Sequence, residues 1–187
     1  MKRIMKKTIL SLSLLLLTVS SFGMIASAAT PSQPIFVTSA GQSADDMILK
    51  VMLDRQLGTT VERNPLAQVA DLEGVNTLAL VVGVSNKGLG SAGINLDQEK
   101  ARIKSLLEEA KKNDSYVILV HIGGPARRGA SSDEVAKIVA PYAHSIIVGA
   151  ESNQDKFFDN LAKENNVTLT VVESRNDAAT TIVDLIK

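Results

Sequence analysis

The sequence predicts an α/β fold: a three-layer, doubly wound domain on a mostly parallel sheet of five or six strands, flavodoxin-like or Rossmann-like in plan. Three observations lead there. Short apolar runs alternate with longer amphipathic ones along the chain, the pattern of βαβ units. Two of the runs, TLALVVGV (77–84) and YVILV (116–120), are continuously apolar, as strands covered on both faces are. Polar and glycine-rich segments follow the apolar runs, whereas plain connectors such as LEGVN, KKND, PYAH and KENN precede them.

The N-terminus stands apart from this pattern. MKRIMKK carries four positive charges, Ile9 to Val19 is mainly apolar, and Ala26-Ser27-Ala28 has the small-x-small form cut by signal peptidase. Residues 1–29 therefore read as a signal peptide and 30–187 as one domain. The alternative is an uncleaved anchor, but the apolar core is shorter than the roughly 20 residues of a membrane span. The expected destination is secreted or extracytoplasmic, in the periplasm or the cell-wall space, with no stable membrane anchor after cleavage.

The chain has 20 basic and 20 acidic residues; Lys2, Arg3, Lys6 and Lys7 leave with the signal, so the domain holds 16 against 20, a net charge of −4. That argues against nucleic acid as a partner. There is no cysteine, which excludes disulfides, thiolate metal sites and a lipid-modified cysteine.

The elements follow in order. PIFVTS (34–39) is the first strand, and Ser43-Ala-Asp-Asp46 reads as the capping box of a helix with Met47, Ile48, Val51 and Met52 at helical spacing. TTVER (59–63) reads as a short strand, and PLAQVADLEG as a connector with one helical turn. After the strand 77–84, SNKGLGSAGIN reads as a long glycine-rich loop. LDQEKARIKSLLEEAKKND is a helix whose buried face is Ile103, Leu106, Leu107 and Ala110. YVILV leads into HIGGPARRGASSD, where Ser131-Ser-Asp-Glu134 reads as a capping box for a helix with Val135, Ile138 and Val139 that Pro141 ends. SIIVGA (145–150) is a strand, and Ser152-Asn-Gln-Asp155 reads as the cap of a helix with Phe157, Phe158 and Leu161. VTLTVV (167–172) is the last strand, and Asn176-Asp177 opens a terminal helix. The favoured strand order is 2-1-3-4-5, with a sixth strand if 59–63 is real.

In such sheets ligands bind beyond the carboxyl ends of the strands, where the order reverses. Three unusual loops converge on that crevice. The first offers Ser39, Gln42 and Ser43. The second offers Ser85, Lys87 and the backbone around Gly88, as an ordinary flexible connector or as a cradle for an anion. The third offers His121, Gly123, Gly124 and Arg127 or Arg128. Paired arginines are often only solvated, but an arginine can also grip a carboxylate or phosphate bidentately. Adjacent loop residues point apart, so one arginine faces the ligand and the other pairs with Asp133 or Glu134. His121 reads as a hydrogen-bonded structural histidine or as an acid or base that Asp133 orients. His144 precedes its strand, at the opposite edge, and reads as structural. Two histidines so separated make a transition-metal site unexpected. No cofactor is expected: neither tyrosine is placed to stack on a flavin, and Gly83-Val84-Ser85-Asn86-Lys87 lacks the second glycine of a nucleophile elbow.

FVTSAGQSADD, VVGVSNKGLGSAGIN and HIGGPARRGASSD behind a signal peptide together resemble a family of secreted bacterial proteins designated domain of unknown function 6305. The resemblance covers nearly all of the mature chain. It implies an exported single-domain protein and no particular activity. The expected function is binding of a small anionic metabolite, a carboxylate or phosphate compound. Two alternatives stand beside it: a hydrolase or transferase using His121 in the same crevice, and an envelope protein-interaction module.

Overall fold

Ile35–Ala40 (β1) and Thr77–Val82 (β3) bury all six of their residues, which is why their sequences run apolar without alternation. They pair in parallel with each other, and Tyr116–His121 (β4), Ser145–Gly149 (β5) and Thr168–Val172 (β6) extend the sheet on one side. On the other side Glu62–Arg63 (β2) adds two residues beside Phe36 and Val37. The order is β2-β1-β3-β4-β5-β6, every pair parallel, so the expected order holds with its sixth strand. The computed structural model describes residues 29–187. The expected signal segment lies outside them, apart from its last residue. Among the described residues no helix is long and apolar enough to cross a membrane.

Helices cover both faces. Asp45–Leu57 (α1) and Arg175–Leu185 (α6) pack Leu49, Leu53, Ala178 and Ile182 against Val37, Val81, Ile118 and Val120. Leu96–Lys112 (α3), Ala130–Val139 (α4) and Phe157–Asn165 (α5) pack Ile103, Leu107, Val135 and Phe158 against Leu78, Leu80, Val117 and Leu119. Each face buries about ten large apolar side chains or more, at about 1.5–3 kcal/mol each, which is the driving term for the fold.

Several helix starts differ from expectation. Ser43 caps nothing: α1 begins after Ala44, which makes no side-chain cap, and the serine hydroxyl is buried. The core face of α1 is Leu49 and Leu53, while Met47 and Val51 are exposed. Packing against α6 selects that face, since the helix has apolar residues on more than one side. Ser131–Glu134 lies inside α4, whose cap is Gly129 at φ +135°, and Ser132 instead accepts the Val84 N–H across the crevice (2.9 Å). α5 starts at Phe157, with Asn153 accepting the Phe158 N–H (2.9 Å). Ser174 with Asp177 makes the capping box of α6, a residue pair earlier than expected. The glycine-rich segment after β3 is not a loop throughout. Asn86–Ser91 (α2) is a short helix with Ser85 accepting from the Gly88 N–H (3.1 Å). Pro141 follows the end of α4 as expected, within a 3-10 turn over Ala140–Tyr142.

Candidate functional site

The three loops do meet at the carboxyl edge, and of the groups the sequence suggested they bring some into the cleft, Ser85 and Arg127 among them, and turn others inward. In the first loop Gly41 (φ +118°) and Gln42 (φ +61°) turn the chain sharply away from β1. Glu99 of α3, fully buried, holds the turn by accepting from the Gly41 N–H (2.8 Å) and from Gln42 Nε2 (3.1 Å). Arg102 clasps the same carboxylate with Nε and Nη2, both at 2.8 Å, and donates to the Ser39 and Ala67 carbonyls. Gln42 also donates to the Pro65 carbonyl (2.8 Å). Gln42 is thus a strut of the loop rather than a ligand group. Ser39 is buried, with its hydroxyl toward the Ser43 carbonyl (3.4 Å), and is likewise internal.

The second loop packs directly on the first. A Cβ at Gly88 would overlap the Gln42 carbonyl oxygen, so glycine there serves a close backbone approach. Its N–H is already bonded to Ser85, which removes Gly88 from the expected cradle. Lys87 is exposed on α2. Ser85 and Asn86 line the crevice.

The third loop separates its two arginines. Arg128 grips Asp133 with Nε (2.8 Å) and Nη2 (3.1 Å), and Asp155 with Nη1 and Nη2 (both 3.0 Å). It also donates to the Ser152 carbonyl, and its guanidinium lies 4.7 Å over the Phe157 ring. Asp133 and Asp155 hold its pKa above the ordinary arginine value. Arg128 therefore ties α4 to the segment before α5, and is the arginine of the two that pairs with Asp133. Asp133 orients this arginine and not His121. Arg127 has one ionic contact, a long 3.8 Å from Nε to Asp45 Oδ2. Gly123 lies beneath its side chain, and Gly124 (φ +72°) makes room for Glu151.

His121 does not reach the crevice. Its ring is fully buried on the α3–α5 face, 5.2 Å from the Phe158 ring. Nδ1 lies 2.9 Å from the Val82 carbonyl, so that nitrogen carries the hydrogen, while Nε2 has no partner among the described residues. Burial lowers its pKa and keeps it neutral. The ring is thus placed as a packed, hydrogen-bonded part of the core. His144, at the opposite edge, accepts the Val117 N–H at Nδ1 (3.0 Å) and stacks on Tyr116. Among the described residues no group of three or more His, Asp or Glu side chains is placed to hold a metal ion.

What remains is an open, polar cleft of about 350 Å³ bounded by Ser85, Asn86, Arg127 and the first turn of α4. The N–H groups of Ala130, Ser131 and Ser132 precede the first bond of that helix, Asp133 N–H to the Gly129 carbonyl (2.9 Å). The positive end of the helix dipole and Arg127 face the same space. Beside it lies Asp45, the first residue of α1 and 6 % exposed, with Arg127 and Arg175 each at 3.8 Å. Asn86, Asp45 and Arg175 were not foreseen. Asp45 lay hidden in an apparent capping box, and Arg175 is distant in sequence. A cavity of about 260 Å³ lined by Pro34, Phe36, Val61 and Glu73 lies at the opposite edge, away from all three loops.

The fold and this edge define a class: a doubly wound parallel α/β domain with a polar cleft beyond the carboxyl ends of β3 and β4. Within it the chain belongs to the family described as Domain of unknown function (DUF6305), whose sequence profile matches residues 32–186. No curated protein matches the chain. Among solved structures it is similar to a protein assigned to the G-D-S-L lipolytic family from Desulfitobacterium hafniense DCB-2, with 14% identity over 73% of this chain and 75% of that one and a TM-score of 0.36. It is also similar to a serine-to-alanine mutant of the esterase AlinE4, with 13% identity over 82% and 81% and a TM-score of 0.28. At these TM-scores neither similarity bears on the chemistry of this chain.

Proposed function

We propose that this protein is exported and binds a small anionic compound, a carboxylate or a phosphate, in the cleft between Ser85 and the first turn of α4. One observation supports this above the rest: the Arg127 guanidinium, with no hydrogen bond among the described residues, faces a helix start whose first N–H groups have no intrahelical partner. A helix N-terminus with an arginine beside it favours anions over neutral ligands. Ser85, Asn86 and Ser131 supply hydroxyl and amide groups at the rim. Turnover through His121 would require the ring to leave its packing on Phe158, so binding is the simpler role.

A thermal-shift series with carboxylates and phosphates at matched ionic strength tests the reading, using an external dye because the chain has no tryptophan. A ligand at about 100 times its dissociation constant adds about 2.7 kcal/mol, a shift of about 5 °C or more for a domain of this size. The shift should vanish in Arg127→Ala and persist in Arg128→Ala once that variant's lower baseline is subtracted. A flat series would end the anion reading and favour the envelope-module alternative. Export is checked separately, by the mass of the protein recovered from its native host: retention of residues 1–28 would contradict it.

A further inference from the structure

Two polar atoms beside the cleft lack partners among the described residues. Asp45 Oδ2 and Ser43 Oγ make no hydrogen bond, in residues only 6 % and 4 % exposed. Buried polar groups are nearly always paired, so each orphan asks what completes it. Both lie close to Gly83. A Cβ built on Gly83 would lie 3.0 Å from Ser43 Oγ and 3.7 Å from Asp45 Oδ2. A Cβ on Gly123 would come within 2.6 Å of the same carboxylate oxygen and would overlap the Arg127 side chain. Glycines just past β3 and β4 therefore let the Ser43 hydroxyl, the Asp45 carboxylate and the Arg127 methylenes pack close together, with Arg127 covering the carboxylate. The place adjoins β1 and β3, between which the strand order reverses.

The chemistry of the two atoms selects what fits. A carboxylate oxygen accepts a hydrogen bond, and a serine hydroxyl has one hydrogen to donate. A single hydroxyl answers both, donating to Asp45 Oδ2 and accepting from Ser43. An ammonium has no lone pair for the serine hydrogen and would stand close to two guanidiniums, Arg127 and Arg175. A second carboxylate or phosphate would be repelled by Asp45. Arg127 covers the carboxylate but reaches it only at 3.8 Å, outside hydrogen-bond range, so little holds it in that position.

We infer that the anionic ligand carries a hydroxyl close to its charged group, as 2-hydroxy acids and hydroxyl-bearing phosphate monoesters do, and that this hydroxyl docks between Asp45 Oδ2 and Ser43 Oγ when Arg127 turns to the anion. The inference rests on the anion reading above. Calorimetric titration of the purified protein with matched pairs tests it: lactate against propionate, and glycerol 3-phosphate against propyl phosphate, with alanine as the ammonium probe. In at least one pair the hydroxyl compound should bind about tenfold tighter, or about 1.4 kcal/mol, and alanine should gain nothing over propionate. Ser43→Ala and Asp45→Asn should each bring that ratio toward one without weakening propionate or propyl phosphate. The wild-type ratio decides the matter even if Asp45→Asn fails to fold. Equal affinities within both pairs overturn the inference and leave the anion reading standing. Tighter binding of alanine overturns it in favour of an amino acid. No binding of any probe removes both.

Discussion

Glu99 and Asp45 are both buried at the carboxyl edge of this sheet, and their surroundings are opposite. Glu99 is fully buried and saturated: two oxygens accept from a backbone N–H, an amide and both forks of Arg102. Asp45 is nearly as buried, yet its two arginines stand off at 3.8 Å and one oxygen accepts nothing. The arginines divide the same way. Arg128 is fully engaged by Asp133, Asp155 and Ser152, whereas its neighbour Arg127 has one long contact. Saturated groups hold the loops in place; unsaturated ones in the same crevice are those free to meet a ligand. The difference is therefore between scaffold and site, and it can be broken by measurement.

The largest effect is expected at Glu99. Glu99→Ala strands a buried guanidinium on Arg102 and should lower stability by about 3–5 kcal/mol, read from the urea midpoint at constant slope. Asp45→Asn, which removes an acid from the first turn of α1 without leaving a clasped partner, should cost no more than about 1 kcal/mol. Equal losses at the two acids would erase the distinction. Arg128→Ala should cost about 1–3 kcal/mol through its charged hydrogen bonds, while Arg127→Ala should stay within about 0.5 kcal/mol. If Arg127→Ala proves the more damaging, Arg127 belongs to the scaffold.

Glycines in α2 sharpen the contrast further. Gly88→Ala drives a methyl group into the Gln42 carbonyl and should cost about 1–3 kcal/mol. Gly90→Ala meets open space in the same helix and should be neutral or stabilising by about 0.5–1 kcal/mol. Similar outcomes at both positions would mean that the first two loops do not touch as described.

The smallest effect is a pH dependence. Burial places the His121 pKa below its ordinary 6.5, so the unfolded chain takes up this proton before the folded one does. Its contribution to stability is fully present above about pH 6.5 and is lost as the pH falls toward the folded value. His144 is shifted the same way by its burial. Urea midpoints should therefore fall as the pH drops below about 6.5, and the His121 ring signals in NMR should stay those of neutral imidazole to a lower pH than those of a free imidazole. A ring that titrates normally near 6.5 would place His121 in solvent and reopen its case as an acid or base.

The sequence by itself determined the class of fold, the strand order and the edge at which the special loops gather, because hydrophobic periodicity and the position of polar segments are local properties of the chain. It also implied that Arg127 and Arg128 would diverge, since neighbours in a turn point apart. It did not say which would be free. Only the tertiary structure decided that, by bringing Asp155 and Phe157 from the segment before α5 onto Arg128, and Asp45 and Arg175 from opposite ends of the domain beside Arg127. The same holds for His121. Its sequence position marked the right edge of the sheet, but the side of the sheet it faces follows from strand register, which alternates side chains between the two cores. Ser43 and Asp45 sit in a stretch that reads as a helix cap, because a serine followed three residues later by an acid, here Asp46, usually is one. Their role changed once glycines from two other strand ends left their polar atoms buried and unpaired. A capping signal is written within a few residues, whereas an unsatisfied pair exists only where distant segments have already closed around it.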